Sequence, residues 1–379
     1  MTTPPPTHEL RLLIAGGGTG GHLLPGIAVL EALEARGVRV DARFLVTQRR
    51  FDGEFLGKRG LIWQTQPVRP MTSRPWRWPG ILQAWRESLH LAEKAILHHE
   101  SEVVLGLGGF GSGPAGKTAA GLGVPLAVLN PDVLPGRANR FLQSRAERIF
   151  LQWERTAEHF KANAPTVVTG TPLRKAALRG DRRAGIEFFD LDPNKKTLLI
   201  TGASQGAMTI NQAALALLEP LSEFAETWQL LHLTGGLSFR KMQQTYRRTQ
   251  SGVTCRVVEF VEEMALAWSV ADLIVSRAGA GMVAEIAAAG LPAVFLPYPF
   301  HRDQHQRLNA KVLEEADAAV ICKDKIAPRK NLECLWPVLA DLMSDESRRN
   351  ELGQNARKLG RPDAADTVAK HLLEIAGKS

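Results

Sequence analysis

Cysteine is scarce in this sequence, and the few cysteines lie far apart. Only Cys255, Cys322 and Cys334 occur in 379 residues. This spacing provides neither a disulfide framework nor the paired ligands of a zinc site. The scarcity excludes a small disulfide-stabilised secreted scaffold. It predicts a protein of the reducing cytoplasm with no metal site.

A long apolar run is also missing. The longest stretch without formal charge, Leu12 to Leu30, contains six glycines as well as His22 and Pro25. A helix there would lose about 1 kcal/mol for each glycine relative to alanine. No basic run precedes the stretch, so it is neither a membrane span nor a signal sequence. Any contact with a membrane is therefore expected from its surface.

The composition indicates a folded chain of two domains. Hydrophobic residues make up 44% and charged residues 23% of the 379 positions, as in globular proteins. This length exceeds a typical single core and suits two domains. The formal net charge of +8 favours an anionic partner, which could be nucleic acid, a lipid surface or a phosphorylated substrate.

Strands, glycine loops and helices follow one another along the chain. The apolar run Leu10–Ala15 stops at glycines, and a helical stretch then continues to about Arg36. Val38–Val46 and Val103–Leu107 read as further buried strands. Strands that alternate with helices in this way predict a parallel sheet covered on both faces.

This pattern occurs twice. Residues 197–218 repeat the order of elements in residues 11–33, and the segment from Leu273 past Pro292 repeats that of 103–129. Repeats separated by the length of a domain predict two Rossmann-like domains in tandem. We assign 1–175 to the N-terminal and 176–361 to the C-terminal domain, with the amphipathic end 362–379 a candidate to pack on the first.

The first glycine loop lacks the acidic residue that a dinucleotide site requires. Gly16, Gly18 and Gly21 follow a strand and open a helix, an arrangement that presents N–H groups to a phosphate. An NAD site also needs an acid about 20 positions later, at the end of the second strand. That strand ends at Val46-Thr-Gln-Arg49. The loop therefore favours an anionic ligand other than NAD.

The second glycine loop has two interpretations. Gly202-Ala-Ser204-Gln-Gly206 matches the serine elbow of hydrolases, but the later Asp303 and His305 are only two residues apart. We prefer a phosphate loop in which Ser204 and nearby N–H groups hold a pyrophosphate.

Two further polar groups are candidate sites. Asp190 and Asp192 resemble a metal-binding carboxylate pair, but they lie in a breaker-rich stretch and predict a solvated turn. A polar cluster after the apolar Leu296-Pro-Tyr-Pro299 points to the ligand crevice of a doubly wound sheet; it comprises His301, Arg302, Asp303, His305 and Gln306.

Cations and tryptophans alternate between Arg69 and Leu82. Trp76, Arg77 and Trp78 are the centre of this segment, with the apolar Ile81 and Leu82 after them, and such mixtures bind anionic bilayers. An ordinary loop packed on its own domain and a nucleic-acid patch are the alternatives. Two paired nucleotide-type domains make nucleic acid the less economical partner, and we expect none.

Taken together, the motifs resemble the MurG family of peptidoglycan N-acetylglucosaminyl transferases, which have the GT-B fold. The matching strings follow the family's order; they are Gly16-Gly-Gly-Thr-Gly-Gly-His22, Gly108-Gly-Phe-Gly-Ser-Gly-Pro114, Gly202-Ala-Ser-Gln-Gly-Ala207, Glu259-Phe-Val-Glu-Glu-Met264, Arg277-Ala-Gly279, Glu285-Ile-Ala-Ala-Ala-Gly-Leu-Pro292 and Asp303-Gln-His-Gln306.

The resemblance implies two doubly wound parallel-sheet domains that face each other across a cleft. It implies inverting transfer from UDP-N-acetylglucosamine to the 4-hydroxyl of lipid I, an undecaprenyl-diphosphate-linked acceptor, with no cofactor. The enzyme would be peripheral, on the cytoplasmic face of the inner membrane, an anionic surface.

The resemblance also assigns residues to roles. His22 would be the catalytic base, Glu285 would bind the ribose and the main chain of Val261 would bind uracil. Gln306 would read sugar hydroxyls, and Arg277 would stabilise the departing diphosphate. The remaining donor-side residues are Thr19, Gly20, Gly21, Asp132, Arg174, Ser204, Ala280, Gly281 and Met282, and the acceptor-side residues are Gly109, Phe110 and Asn139. A histidine buried and satisfied by backbone is the alternative for His22.

Two departures from the family pattern bear on specificity. Leu129-Asn-Pro-Asp132 replaces a His-Glu-Gln-Asn type of string, so that Asp132 stands where an amide contacts the donor sugar. Met282 stands where a small polar residue is common. A related transferase with another lipid or secondary-metabolite acceptor, and a UDP-sugar epimerase, are the alternative functions.

Overall fold

A computed structural model describes residues 9–17, 20–178, 180–202, 206–249, 251–300 and 303–378. The chain forms two compact units. The first runs up to Arg174 and takes in the chain from Pro362 onward, and the second is Lys175–Arg361. Each unit contains one parallel sheet covered by helices, as the alternating pattern predicted.

The first unit has a seven-stranded sheet in the order β3-β2-β1-β4-β5-β6-β7. Every paired neighbour in it is parallel. Its strands are β1 Glu9–Gly16, β2 Arg39–Thr47, β3 Ile62–Gln66, β4 Val103–Gly106, β5 Leu126–Asn130, β6 Arg148–Leu151 and β7 Thr166–Val168. Its helices are α1 Gly20–Ala35, α2 Arg50–Gly57, α3 Trp78–His99, α4 Gly113–Gly121 and α5 Arg137–Leu142, with 3-10 turns at Pro75–Arg77, Phe110–Ser112 and Glu154–His159.

The second unit has a six-stranded sheet in the order β10-β9-β8-β11-β12-β13. Its strands are β8 Lys196–Thr201, β9 Trp228–Leu233, β10 Cys255–Val258, β11 Leu273–Ser276, β12 Ala293–Phe295 and β13 Val320–Ile321. Its helices are α6 Lys175–Leu178, α7 Arg182–Phe189, α8 Met208–Ala216, α9 Leu218–Leu221, α10 Phe239–Arg248, α11 Met264–Val270, α12 Ala280–Ala289, α13 His305–Glu315, α14 Pro328–Ser344 and α15 Glu346–Leu359, with a 3-10 turn at Ser222–Phe224.

The strand orders confirm the internal repeat. In each sheet the first strand lies between the second and the fourth, so β8 corresponds to β1 and β11 to β4. In both units the chain reverses direction across the sheet beside the first strand. At such a point the loops at the carboxyl ends of the strands part and leave a crevice for a ligand.

The last helix, α16 Ala364–Ile375, belongs to the first unit. Val368 and Leu372 are fully buried in the same apolar cluster as the inner face of α1. Arg36 also donates hydrogen bonds to both carboxylate oxygens of Asp366, from Nε at 2.8 Å and from Nη2 at 2.6 Å. Among the described residues, no helix has the length and apolar character needed to cross a membrane.

Candidate functional site

In the first unit, a close backbone approach fixes the first glycine loop. β1 ends at Gly16, and a Cβ on Gly111 would lie 2.9 Å from the Gly16 carbonyl oxygen. Only glycine fits there. The fully buried Gln66 donates through Nε2 to the Gly111 carbonyl at 2.7 Å, which connects the end of β3 to the 3-10 turn after β4.

A buried carboxylate lies beside the same loop. Asp52 of α2 is fully buried and accepts a hydrogen bond of 2.6 Å from the Thr47 hydroxyl at the end of β2. Gly17 has φ of 113°, and a Cβ there would be 2.5 Å from Asp52 Oδ2. The acid after the second strand therefore sits where a side chain on Gly17 would otherwise be.

The residues expected on the acceptor side meet at the ends of β4 and β5. Gly109 has φ of 68° and opens the 3-10 turn that contains the half-buried Phe110. The buried Asn139 donates to the carbonyl of Leu129 and to the side chain of Asn130, both at 2.9 Å. Among the described residues, Asn139 Oδ1 is buried and has no hydrogen-bond partner.

The unusual Leu129–Asp132 string is part of this arrangement. Asn130 donates through Nδ2 to the carbonyl oxygen of Asp132 at 2.7 Å. An open depression of about 260 Å³ lies beside it, lined by Pro25, Leu107, Leu129, Asn130, Pro131, Phe150, Gly170, Thr171 and Pro172. The buried hydroxyl of Thr171 has no hydrogen-bond partner within the part of the chain that the structure describes.

Several predicted residues are outside the described part of the structure. They include Thr19 and Ser204, together with the side chain of His22. The backbone of Gly20, Gly21 and His22 forms the start of α1. Arg174 is described, and its Nε donates to Glu31 Oε1 of α1 at 2.7 Å.

In the second unit, the loop after β8 is again confined by backbone. Gly206 has φ of 76°, and a Cβ there would lie 2.1 Å from the carbonyl oxygen of Thr234. No other residue fits without a shift of the loop. α8 begins two residues later at Met208, so the loop that contains Ser204 leads into a helix N-terminus.

At the N-terminus of α12 the N-cap residue is Gly279, which has no side chain to cap the first backbone N–H groups. Gly279 precedes the helix, and Ala280, Gly281 and Met282 form its first turn. The first N–H groups of a helix have no partner within it, and the helix dipole makes this end positive. This turn is therefore suited to an anion.

Glu285 lies one turn further along α12. Its Oε2 accepts a hydrogen bond of 3.0 Å from Trp268 Nε1. Burial raises the pKa of Glu285 to about 7, although the bond from Trp268 opposes the rise. Near neutral pH the group is therefore poised between the acid and the carboxylate. The side chain of Val261 is buried, and the neighbouring Phe260 is 53% exposed.

Arg277 is buried and paired with a carboxylate. Its Nη1 donates to Asp324 Oδ2 and to the Leu296 carbonyl, both at 2.8 Å, and to the Pro297 carbonyl at 3.2 Å. Its Nη2 donates to the Thr209 hydroxyl at 2.6 Å. Asp324 compensates the charge of Arg277, and the expected role of Arg277 opposite the leaving diphosphate stays a prediction.

Gln306 has a defined orientation. The backbone N–H of Tyr298 donates to Gln306 Oε1 at 2.9 Å. A backbone N–H can only donate, so this contact fixes which end of the amide is oxygen. The Nε2 group is therefore the hydrogen-bond donor of this side chain.

The polar cluster is only partly described. His305 Nδ1 lies 2.9 Å from Asp303 Oδ1, whereas His301 and Arg302 are outside the described residues. The other carboxylate pair, Asp190 and Asp192, is engaged in local contacts. Asp190 pairs with Arg256, and Asp192 accepts from the backbone of Asn194 at 2.9 Å.

The segment of cations and tryptophans is a surface feature of the first unit. Trp76 is 73% and Trp78 47% exposed. The two lie where a 3-10 turn passes into α3, and Trp78 Nε1 donates to the Thr72 carbonyl at 3.0 Å. The expected contribution of Ile81 is wrong, because this side chain faces the core and is buried.

Sequence reasoning missed two buried carboxylates, Asp324 in the second unit and Asp52 in the first. Asp324 lies 47 residues from Arg277 and in none of the recognised strings. Asp52 belongs to a helix that we had not assigned. A search for an acidic residue within the turn after the second strand, rather than at its end, would have found Asp52.

Known proteins identify the family. Residues 12–151 match the glycosyltransferase family 28 N-terminal domain, and residues 197–368 match the C-terminal domain of the same family. A curated relative from Christiangramia forsetii is 34% identical over 97% of this chain and 98% of its own length. The chain belongs to glycosyltransferase family 28. That relative is named UDP-N-acetylglucosamine–N-acetylmuramyl-(pentapeptide) pyrophosphoryl-undecaprenol N-acetylglucosamine transferase.

Solved structures agree with this assignment. The crystal structure of Acinetobacter baumannii MurG is 26% identical, with a TM-score of 0.74 over 97% of this chain and 100% of that chain. A putative UDP-N-acetylglucosamine 2-epimerase from Listeria monocytogenes has a TM-score of 0.71 over 98% of this chain and 97% of its own, at 13% identity. The second likeness shows the fold alone. The predicted MurG-type family and the GT-B fold are confirmed.

Proposed function

We propose that this family 28 glycosyltransferase moves N-acetylglucosamine from UDP-N-acetylglucosamine to the 4-hydroxyl of the N-acetylmuramoyl-pentapeptide of lipid I, forming lipid II. The observation that carries the proposal is the 34% identity, along almost the whole of both chains, to a relative named for this transfer. The second unit adds physical support, since its sheet edge combines an anion-binding helix terminus with hydrogen-bonding side chains.

The donor is bound by the second unit. Glu285 accepts hydrogen bonds from the ribose hydroxyls, and the main chain of Val261 contacts uracil. The uncapped first turn of α12 and the loop that contains Ser204 face the diphosphate, where N–H dipoles compensate its charge. Gln306 donates through Nε2 to an oxygen of the sugar, because its Oε1 is already used by Tyr298.

The first unit carries the acceptor and the base. His22 removes the proton of the 4-hydroxyl while that oxygen attacks the anomeric carbon from the face opposite the diphosphate. The bond between the anomeric carbon and the diphosphate oxygen breaks, UDP leaves, and the configuration inverts. The departing oxygen gains negative charge, which the N–H groups of the helix terminus and of the Thr19–Gly21 loop stabilise. Gly109, Phe110 and Asn139 shape the acceptor side, and Asp132 and Arg174 border the donor sugar.

The acceptor lies in a bilayer, so the first unit docks on the anionic cytoplasmic leaflet. Trp76, Arg77 and Trp78 are exposed and adjacent. Each cation near such a surface contributes about 1 kcal/mol, and the indole rings bury apolar area at the headgroup level. The enzyme is thus a peripheral protein of the inner membrane.

Radiolabelled UDP-N-acetylglucosamine and a soluble lipid I analogue test the proposal. The expected result is one labelled disaccharide product per UDP released. Labelled donor that is isomerised without acceptor would instead identify an epimerase. Transfer to another lipid or a secondary metabolite, with none to the lipid I analogue, would keep the reaction type and overturn the acceptor.

A further inference from the structure

We infer that Asp324 is a positioning residue of the donor site. Through its buried contacts with Arg277 and Thr209, it holds the first turn of α8 and the turn after β12 in their binding arrangement. The inference rests on the proposed function, since it assigns these two segments to the donor. Asp324 lies just after β13, outside every sequence motif of the family resemblance.

The Asp324–Arg277 pair is almost fully closed to solvent. The side chain of Asp324 has no exposed surface and that of Arg277 retains 7%. Asp324 Oδ2 accepts hydrogen bonds from Arg277 Nη1 at 2.8 Å and from the Thr209 hydroxyl at 2.6 Å. Removing one charge from such a pair leaves the other buried and uncompensated. The position of each partner therefore depends on the other.

The network reaches three segments of the donor side. Thr209 is in the first turn of α8, directly after the loop that contains Ser204. Arg277 donates hydrogen bonds to the carbonyls of Leu296 and Pro297, which immediately precede Tyr298. The N–H of Tyr298 in turn donates to Gln306 Oε1. The backbone of Arg277 itself leads into α12. One buried pair thus joins the phosphate loop, the sugar-reading amide and the helix that contains Glu285.

A strained backbone holds Asp324 in place. Its Oδ1 accepts from the Ile326 N–H at 2.7 Å and from Asn331 Nδ2 at 3.0 Å. Ile326 has φ of 70°, a conformation that β-branched residues rarely adopt. Strain of this kind persists only where surrounding contacts fix it, and it is concentrated at functional sites.

The carboxyl group stays ionised in this environment. Burial alone would raise the pKa of Asp324, but hydrogen bonds from Thr209, Asn331, the Ile326 backbone and Arg277 hold it below its usual value. The network is therefore expected to be intact throughout the neutral range and independent of the Glu285 titration.

The test compares Asp324→Asn and Thr209→Val with Thr209→Ser, which keeps the hydroxyl. The matched control is Arg349→Met, because Arg349 is equally buried in the same unit but donates to Leu342 and Met343 at the end of α14. Amide hydrogen exchange is followed at residues 206–215 and 296–310, and UDP affinity is measured by calorimetry on the full chain.

Asp324→Asn and Thr209→Val should increase exchange about tenfold in both segments and leave the β9 strand unchanged. UDP affinity should fall about tenfold or more. Thr209→Ser should resemble the parent in both measurements. Arg349→Met should lower the unfolding temperature without changing either segment or UDP affinity.

Uniformly faster exchange in Asp324→Asn, with parent-like UDP affinity, would show that the pair only stabilises the unit and would overturn the inference. A parent chain that binds no UDP would contradict the proposed function. The exchange pattern would still decide whether Asp324 positions the two segments.

Discussion

The carboxyl edges of the two sheets differ in chemistry although their strands follow the same order. In the first unit the buried polar groups are mostly neutral, and in the described ranges Gln66, Asn139 and Thr171 each keep a buried side-chain oxygen without a hydrogen-bond partner. In the second unit the ionisable Arg277 and Asp324 are buried beside neutral groups such as Asn309. Glu285 has a raised pKa, whereas the pKa of Arg277 is lowered by burial against the opposing effect of Asp324.

This difference follows the division of labour in the proposed reaction. The reacting 4-hydroxyl of the acceptor is neutral and is bound by amides and hydroxyls at little electrostatic cost, although the acceptor also carries a diphosphate. A nucleotide diphosphate carries charge, and its binding loops must be held rigidly enough to compensate that charge without rearrangement. Both units have the same strand order at this edge of the sheet, and their side chains determine which substrate each edge can bind.

The largest expected effect separates chemistry in the first unit from binding in the second. His22→Ala should lower turnover by roughly 10² to 10⁴, the contribution of a general base. UDP affinity should remain close to that of the parent, because the donor contacts lie in the second unit. Steady-state transfer to a lipid I analogue and calorimetry with UDP provide the two measurements. Near-parent turnover at saturating acceptor would remove His22 from the mechanism.

The strands of the two units could be predicted from the sequence more completely than the contacts between their side chains. Apolar runs that end in glycine identified β1, β4, β8 and β11, because a buried parallel strand leaves a local signal. The pairing of Arg277 with Asp324 leaves none, since two distant residues meet only after the strands are ordered. Ile81 was misjudged for a related reason: its place among exposed neighbours gave no sign that α3 turns it toward the core.

The second prediction concerns the membrane-facing surface of the first unit. Replacing Trp76, Arg77 and Trp78 together with Ser, Gln and Ser should weaken binding to anionic vesicles by about 3 kcal/mol. About 1 kcal/mol comes from the cation and about 1 from each partly buried indole. Co-sedimentation with phosphatidylglycerol vesicles measures the loss. Turnover of a lipid-embedded acceptor should fall with it, while UDP affinity stays unchanged.

A basic helix in the second unit is the matched control for that surface. α10 exposes Arg240 and Lys241 beside Leu237, which is 88% exposed. Replacing these three with Gln, Gln and Ser removes more positive charge than the first triple variant. Vesicle binding should nevertheless be retained if the first unit alone docks. If the α10 variant loses as much binding as the other, attraction to the bilayer is a property of the net charge.

The third prediction uses the pKa of Glu285, about 7. A carboxylate accepts hydrogen bonds from both ribose hydroxyls, so affinity for UDP-N-acetylglucosamine should rise between pH 6 and 8. Glu285→Gln should remove this dependence, and Glu285→Ala should weaken binding by about 1.5 to 3 kcal/mol. The sugar diphosphate is a diester and does not titrate in this range. A parent profile as flat as that of Glu285→Gln would show that the ribose is read elsewhere.

The unliganded fold should show the opposite trend. The folded-state pKa lies above the ordinary value of 4.5, so the folded chain binds more protons than the unfolded chain between these values. The contribution of Glu285 to stability is then lost as the pH rises from about 4.5 through 7. Thermal unfolding of the parent and of Glu285→Gln over that range checks the sign.

The smallest expected effect concerns how each unit holds the backbone beside its buried carboxylate. Next to Asp52 the first unit has a glycine, Gly17, at φ of 113°, whereas next to Asp324 the second unit has Ile326 at φ of 70°. Ile326→Gly should relieve about 1 to 2 kcal/mol of left-handed strain. The flexibility of glycine should cost about 0.5 to 1 kcal/mol of stability. A further loss of stability is expected because the Ile326 side chain is only 46% exposed and its buried part loses its packing. The net change in stability is thus expected to lie within about 1 kcal/mol, with UDP affinity preserved because the N–H that donates to Asp324 remains.

Ile326→Pro removes that N–H and cannot adopt a positive φ, so it should destabilise the second unit and weaken UDP binding. If Ile326→Gly weakened UDP binding as much as Ile326→Pro, the isoleucine side chain rather than its backbone would be what the donor site requires.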